Sequence, residues 1–176
     1  LPVRGSAIAI MVSEVDESDG SIALFDPEIA VLNNVSLDHK SLEELRQLFG
    51  DFAGKAKYCI WNRDDAETAA LVDSLALENA ISFGFSEGAD FRAIDIEEAP
   101  IGSRFILQAQ GSDFPVEMQV PGQHNIANAL AAIAGASAAG VLVANSVAAI
   151  AKFNGLARRF DVVGTANDIS VIDDFG

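Results

Sequence analysis

Short apolar runs alternate with helical spacings through the first half of the chain. Ala7 to Val12 is a continuous apolar run, which predicts a strand covered on both faces. A polar acidic loop, EVDESDGS, follows, and Ile29 to Leu32 predicts a second buried strand ended by Asn33-Asn34. From Ser41 to Phe52 the apolar residues Leu42, Leu45, Leu48, Phe49 and Phe52 recur at helical spacing. Ser41 stands as N-cap, and Glu44 three residues later completes a capping box. Tyr58 to Trp61 reads as a strand, Asp65 to Leu75 as a helix and Ala80 to Phe83 as a strand. The character then changes to FRAIDIEE, SRFILQAQ and FPVEMQV, separated by Pro100-Ile101-Gly102 and Gly111-Ser112-Asp113, which predicts an antiparallel meander. Helices return at Asn125 to Ala139 and Val143 to Phe153. A strand pair, Arg159 to Gly164 and Ile169 to Ile172, closes the chain.

Repeated strand–helix–strand units imply parallel pairing. The expected fold is therefore α/β: a mostly parallel central sheet flanked by helices, with a small antiparallel meander attached at about residues 91–120. We read residues 1–176 as one domain.

Composition narrows the function classes. A net charge of −15 repels phosphates at long range and argues against generic nucleic-acid binding. It leaves room for a nucleotide substrate, because backbone N–H groups, a metal and one or two arginines build a phosphate site locally. Cys59 is the single cysteine, so no intramolecular disulfide forms; within KYCIW it reads as a small core residue. LPVRGSAIAIMV is too short in its apolar run for a signal peptide. The alanine-rich stretch Ala127 to Ala151, interrupted by Asn128, Ser137, Asn145 and Ser146 with a break at Gly140, reads as paired buried helices and not as a membrane span. The expected localisation is cytoplasmic.

Five places put polar chemistry where strands end or helices begin, the positions at which α/β sheets hold ligands. In Glu14 to Ser21 four carboxylates crowd into six residues, either as a solvated loop or as oxygen donors for Mg²⁺. His39, in LDHK after the second strand, is a structural imidazole or a metal ligand. In PGQHNIAN, Asn125 is either a plain N-cap or, with Asn128 three residues on, one of two amides facing a planar edge such as adenine. Arg158 and Arg159 suit phosphate by their bidentate geometry, or pair with surface acids. Asp173-Asp174 ends a strand where a carboxylate meets ribose hydroxyls. No GxGxxG, CxxC pair or GxxxxGK[ST] loop occurs in the 176 residues.

Taken in order, these segments resemble the central, ATP-binding part of the Mur ligases, over nearly the whole chain. EVDESDGS resembles the acidic motif of the alanine-adding and peptide-recycling branches. NNVSLDHKS is similar to the family's "TN…DH" segment, and IWNRDDAE to its "N-DD" turn. FGFSEGADF resembles the lead into the small antiparallel sheet, and PGQHNIANALAAIA the adenine-side helix start. LARRFDVVG with VIDDFG is similar to the segment closing the domain. The resemblance implies roles. Glu14 would hold the Mg²⁺ shared with the ATP phosphates, and His39 a second Mg²⁺ near an acyl phosphate. His124, Asn125 and Asn128 would line the adenine pocket, Arg159 would reach the phosphates and Asp174 the ribose.

The implied reaction is ATP-dependent amide formation in peptidoglycan synthesis or recycling. A carboxylate attacks the γ-phosphate, and an amine then displaces phosphate from the acyl phosphate. The reading adopted is alanine addition to UDP-N-acetylmuramate, with re-attachment of a recovered tripeptide as the near alternative. Folylpolyglutamate and cyanophycin synthetases are more distant ones. No lysine sits near Phe49, where some branches carry a carbamylated one, which favours the alanine-adding or recycling side. The family's phosphate loop, its UDP-sugar domain and its carboxy-terminal domain are not within these residues, so the 176 residues alone are expected to be inactive. A rival of another class is a non-catalytic nucleotide-binding or scaffold domain derived from a ligase.

Overall fold

A computed structural model describes residues 10–18, 20–36, 40–156, 161–166 and 169–173. Strands β1 (Ile29–Leu32), β2 (Tyr58–Asn62) and β3 (Ala80–Gly84) pair in parallel, with helix α1 (Leu42–Lys55) after β1 and α2 (Ala66–Leu75) after β2. The meander is joined to this sheet edge to edge. β4 (Phe91–Glu98) pairs in parallel with β3, and β5 (Ser103–Ala109) and β6 (Ser112–Met118) follow antiparallel, giving one sheet ordered β1-β2-β3-β4-β5-β6. Helices α3 (Gln123–Ala138) and α4 (Val143–Ile150) come next, then a separate antiparallel pair, β7 (Asp161–Ala166) and β8 (Ile169–Asp173).

Parallel neighbours ordinarily need a crossover of a dozen residues or more. Only residues 85–90 join β3 to β4. The reason is the register: the two strands overlap only at Phe83↔Phe91 and Gly84↔Arg92, so the chain has to fall back by only about 7 Å. Below that overlap β3 has no β4 partner. The Asp90 carboxylate takes its place, accepting the Ser82 N–H at 2.7 Å and the Ser82 hydroxyl at 2.6 Å.

Alternation along the strands divides the core between two faces. On β2, Cys59 and Trp61 join Leu45, Phe52 and Ala53 of α1 and Leu71 and Val72 of α2. Ile60 points the other way, to Phe83, Phe105, Leu107 and the buried stripe Ile126, Leu130, Ile133 of α3. The α1 start matches the sequence reading: Ser41 is the N-cap, its hydroxyl accepts the Glu44 N–H, and Glu44 accepts the Ser41 N–H.

Two expectations are corrected. Ile10, Met11 and Val12 form no strand and are 56 %, 85 % and 91 % exposed; the remainder of the predicted Ala7–Val12 strand lies outside the described residues. An apolar run implies burial only if neighbouring chain covers it, and among the described residues none does. Asn125 is not the N-cap of α3; Gly122 is, with φ +95°, a conformation open to glycine. Among the described residues no helix is long and apolar enough to cross a membrane.

Candidate nucleotide and metal site

β1, β2 and β3 end side by side, and the turn after the middle strand ties their loops together. The Asn62 amide donates to the Asn33 carbonyl beyond β1 at 2.9 Å, and its oxygen accepts the Asp64 N–H at 3.0 Å. The Asp64 carboxylate accepts two N–H groups beyond β3, from Phe85 at 2.6 Å and Ser86 at 3.0 Å. A Cβ on Gly84 would collide with that carboxylate, so the close approach requires glycine. Asp65 caps α2: one oxygen accepts the Thr68 N–H at 2.8 Å, the Thr68 hydroxyl at 2.6 Å and the Val35 N–H at 3.2 Å. These three side chains were visible in the sequence only as a motif. Their position just past an apolar strand was the signal that they serve the rim.

The acidic segment reaches the same end of the sheet. Asp16 accepts the Ser18 N–H at 2.8 Å, making a tight turn, and Lys40 donates to the Ser18 carbonyl at 2.8 Å. Lys40 lies between β1 and α1, at the end toward which β1 points. Glu14 is exposed, while neighbouring Val15 packs on the α1/α2 face of the core. A hard cation such as Mg²⁺ needs only one or two protein carboxylates besides water and phosphate, which suits an exposed carboxylate like Glu14. Among the described residues no three His, Cys, Asp or Glu side chains form a closed cage.

The amides come from the other face. β6 runs parallel to β4, because both are antiparallel to β5, and β4 runs parallel to β3. The α3 N-terminus, four residues past β6, therefore lies on the side toward which β1–β3 run, beyond the far end of β4. Asn125 donates to the Pro121 carbonyl at 2.7 Å, which leaves its side-chain oxygen as an acceptor. Asn128 is exposed, and the exposed His124 ring lies against Gly122. Val15 of the acidic segment and the α3 stripe pack on opposite faces of the sheet, and Lys40 ties Ser18 to the side toward which β1 runs. His39, Arg158, Arg159 and Asp174 lie outside the described residues; Asp173 ends β8, exposed. A hollow of about 420 Å³ lies on the α2 flank of the rim, lined in part by Trp61, Arg63, Asp73, Ser82 and Asp90. None of the predicted nucleotide residues borders it.

An open, mostly parallel α/β sheet whose parallel strands end in mutually braced polar loops has the kind of rim at which α/β proteins hold ligands. The family description "Mur ligase middle domain" matches residues 3–136, and this chain belongs to that family. It is 37 % identical over 179 residues to the UDP-N-acetylmuramate–L-alanine ligase of Acidithiobacillus ferrooxidans, covering 94 % of this chain and 38 % of that protein. In three dimensions it resembles the UDP-N-acetylmuramate–alanine ligase MurC of Thermotoga maritima, with a TM-score of 0.76 at 24 % identity over 89 % of this chain and 36 % of that one. MurF of Acinetobacter baumannii is similarly alike, with a TM-score of 0.77 at 24 % identity over 89 % and 35 %. At those identities the structural likeness speaks for the fold. The chain spans less than two-fifths of the length of the relatives it matches.

Proposed function

We propose that this chain is the ATP-binding middle domain of a cytoplasmic ligase that joins L-alanine to the carboxylate of UDP-N-acetylmuramate. The observation that carries the reading is the Lys40–Ser18 hydrogen bond. It ties the acidic segment to the start of α1, on the side toward which β1 runs, which supports a metal role for that segment. The relatives named for alanine addition match 94 % of the chain, which supports the choice of substrates.

In this reading Glu14 would hold the Mg²⁺ shared with the ATP phosphates and His39 a second Mg²⁺ near the acyl phosphate, each neutralising charge on the transferred phosphoryl group. Arg159 contacts the phosphates and Asp174 the ribose hydroxyls. The free Asn125 oxygen accepts from the adenine amino group, with Asn128 and His124 completing that pocket. The substrate carboxylate attacks the γ-phosphorus and ADP leaves. The amine then attacks the acyl phosphate, and inorganic phosphate departs as the amide forms. Binding therefore has to set an in-line geometry and exclude water from the acyl phosphate.

The test is a substrate panel on the full-length parent protein, with ATP, Mg²⁺ and UDP-N-acetylmuramate, reading phosphate release and product mass. Alanine is expected to be the preferred amine. Preference for a tripeptide would reassign the chain to precursor recycling, and no turnover with any amine would leave a non-catalytic nucleotide-binding domain.

A further inference from the structure

The turn Asn62–Asp65 is used in an unusual way for surface residues. Three of its four side chains are spent on backbone groups of two other loops, 29 and 30 residues back at Asn33 and Val35 and 21 and 22 residues ahead at Phe85 and Ser86. Surface carboxylates ordinarily pair weakly with basic side chains. Asp64 and Asp65 instead accept N–H groups in charge-assisted bonds, which are shorter and more directional. Each loop so held leaves the end of a parallel strand at the ligand rim. The held stretch after β1 leads on to Lys40, the residue that anchors the acidic segment.

We propose that Asn62 and Asp64 are positioning residues: they set the spacing of the loops after β1 and β3, and so the geometry in which the rim takes up the metal-bound triphosphate. This rests on the proposed ligase function. Asn62 fixes the β1 side through its amide donor, and Asp64 fixes the β3 side through both carboxylate oxygens. Neither needs to touch substrate. The fit at Gly84, where any side chain would displace Asp64, shows how closely the β3 loop is drawn in.

Two near-isosteric variants separate positioning from folding. Asn62→Asp removes the donor to Asn33 and keeps the acceptor for the Asp64 N–H. Asp64→Asn leaves one acceptor where two N–H groups converge. In the full-length parent, each should raise the Mg²⁺ concentration for half-maximal phosphate release roughly tenfold at saturating alanine and sugar nucleotide. Gln47→Ala, whose amide donates to Asp51 within α1 and whose side chain is exposed, should leave it unchanged. An unchanged Mg²⁺ dependence in both variants, with any loss of rate matched by a loss of thermal stability, would overturn the positioning role. A wild-type parent that turns over no substrate would remove the proposed function itself, a different result.

Discussion

Burial in the α1/α2-face core pushes the Cys59 thiol up to about 11. The thiolate is the reactive form, and at neutral pH it is nearly absent here. Cys59 is expected to resist maleimide in the folded chain at pH 8 and to label at once in denaturant. Rapid native labelling, read by mass spectrometry, would contradict the buried placement. At the start of α1 the Ser41 hydroxyl and then its N–H hold the Glu44 carboxyl below its usual 4.5, against a smaller desolvation and with a last contribution from the Lys40 charge. A depressed folded value stabilises above the unfolded value and loses that contribution as pH falls through the folded one. The melting-temperature gap between wild type and Glu44→Gln should therefore be present at neutral pH and shrink in acid. Ser41→Ala should cost about 1 kcal/mol in chemical denaturation. This cap was fully legible in the sequence, because all its groups lie within four residues. The Asn62, Asp64 and Asp65 contacts were not, because their partners are 21 to 30 residues away and only folding brings them near.

Each sheet face is sealed by helices whose placement follows from apolar spacing. Leu130 of α3 is fully buried between the parallel strands and the meander. Leu130→Ala should cost about 3 kcal/mol, measured by urea unfolding, and a loss below about 1 kcal/mol would mean that α3 does not seal that face. The β3–β4 junction depends on backbone geometry instead. Gly84→Ala should destabilise by about 2 kcal/mol, through its φ of +153° and the Asp64 carboxylate in the way. Hydrogen exchange should show Phe85 and Ser86 N–H losing protection first. The elements β1, β2, α2 and β3 are readable to within a residue, and α1 runs three residues past the Phe52 expected from its apolar spacing. The short parallel link was not, since a six-residue connection ordinarily signals a hairpin and only the two-residue overlap makes it parallel. The sequence points to Asn125 as the α3 start because Asn is a good cap, yet a glycine with positive φ, Gly122, takes that place.

Over the whole molecule, 26 acidic residues against 11 basic ones leave a strong self-repulsion. Added salt screens it, so raising NaCl from about 0.05 M to about 0.5 M should raise the melting temperature by a few degrees. A fall would mean that specific ion pairs outweigh the net charge, and the exposed Arg46–Glu67 and Arg104–Glu117 pairs make that a fair contest. Local information in the chain settled the helices and strands from β1 to β6, where α1 begins, and that Cys59 is core, though not the apolar run at Ile10 to Val12. These depend on periods of 2 and 3.6 residues and on contacts a few residues apart. Folding alone determined that the meander continues the parallel sheet, that Ile10 to Val12 stay uncovered, and that Val15 and α3 pack on opposite faces of the sheet. Those outcomes turn on which distant segments share an edge or a face, and no short stretch of sequence carries that.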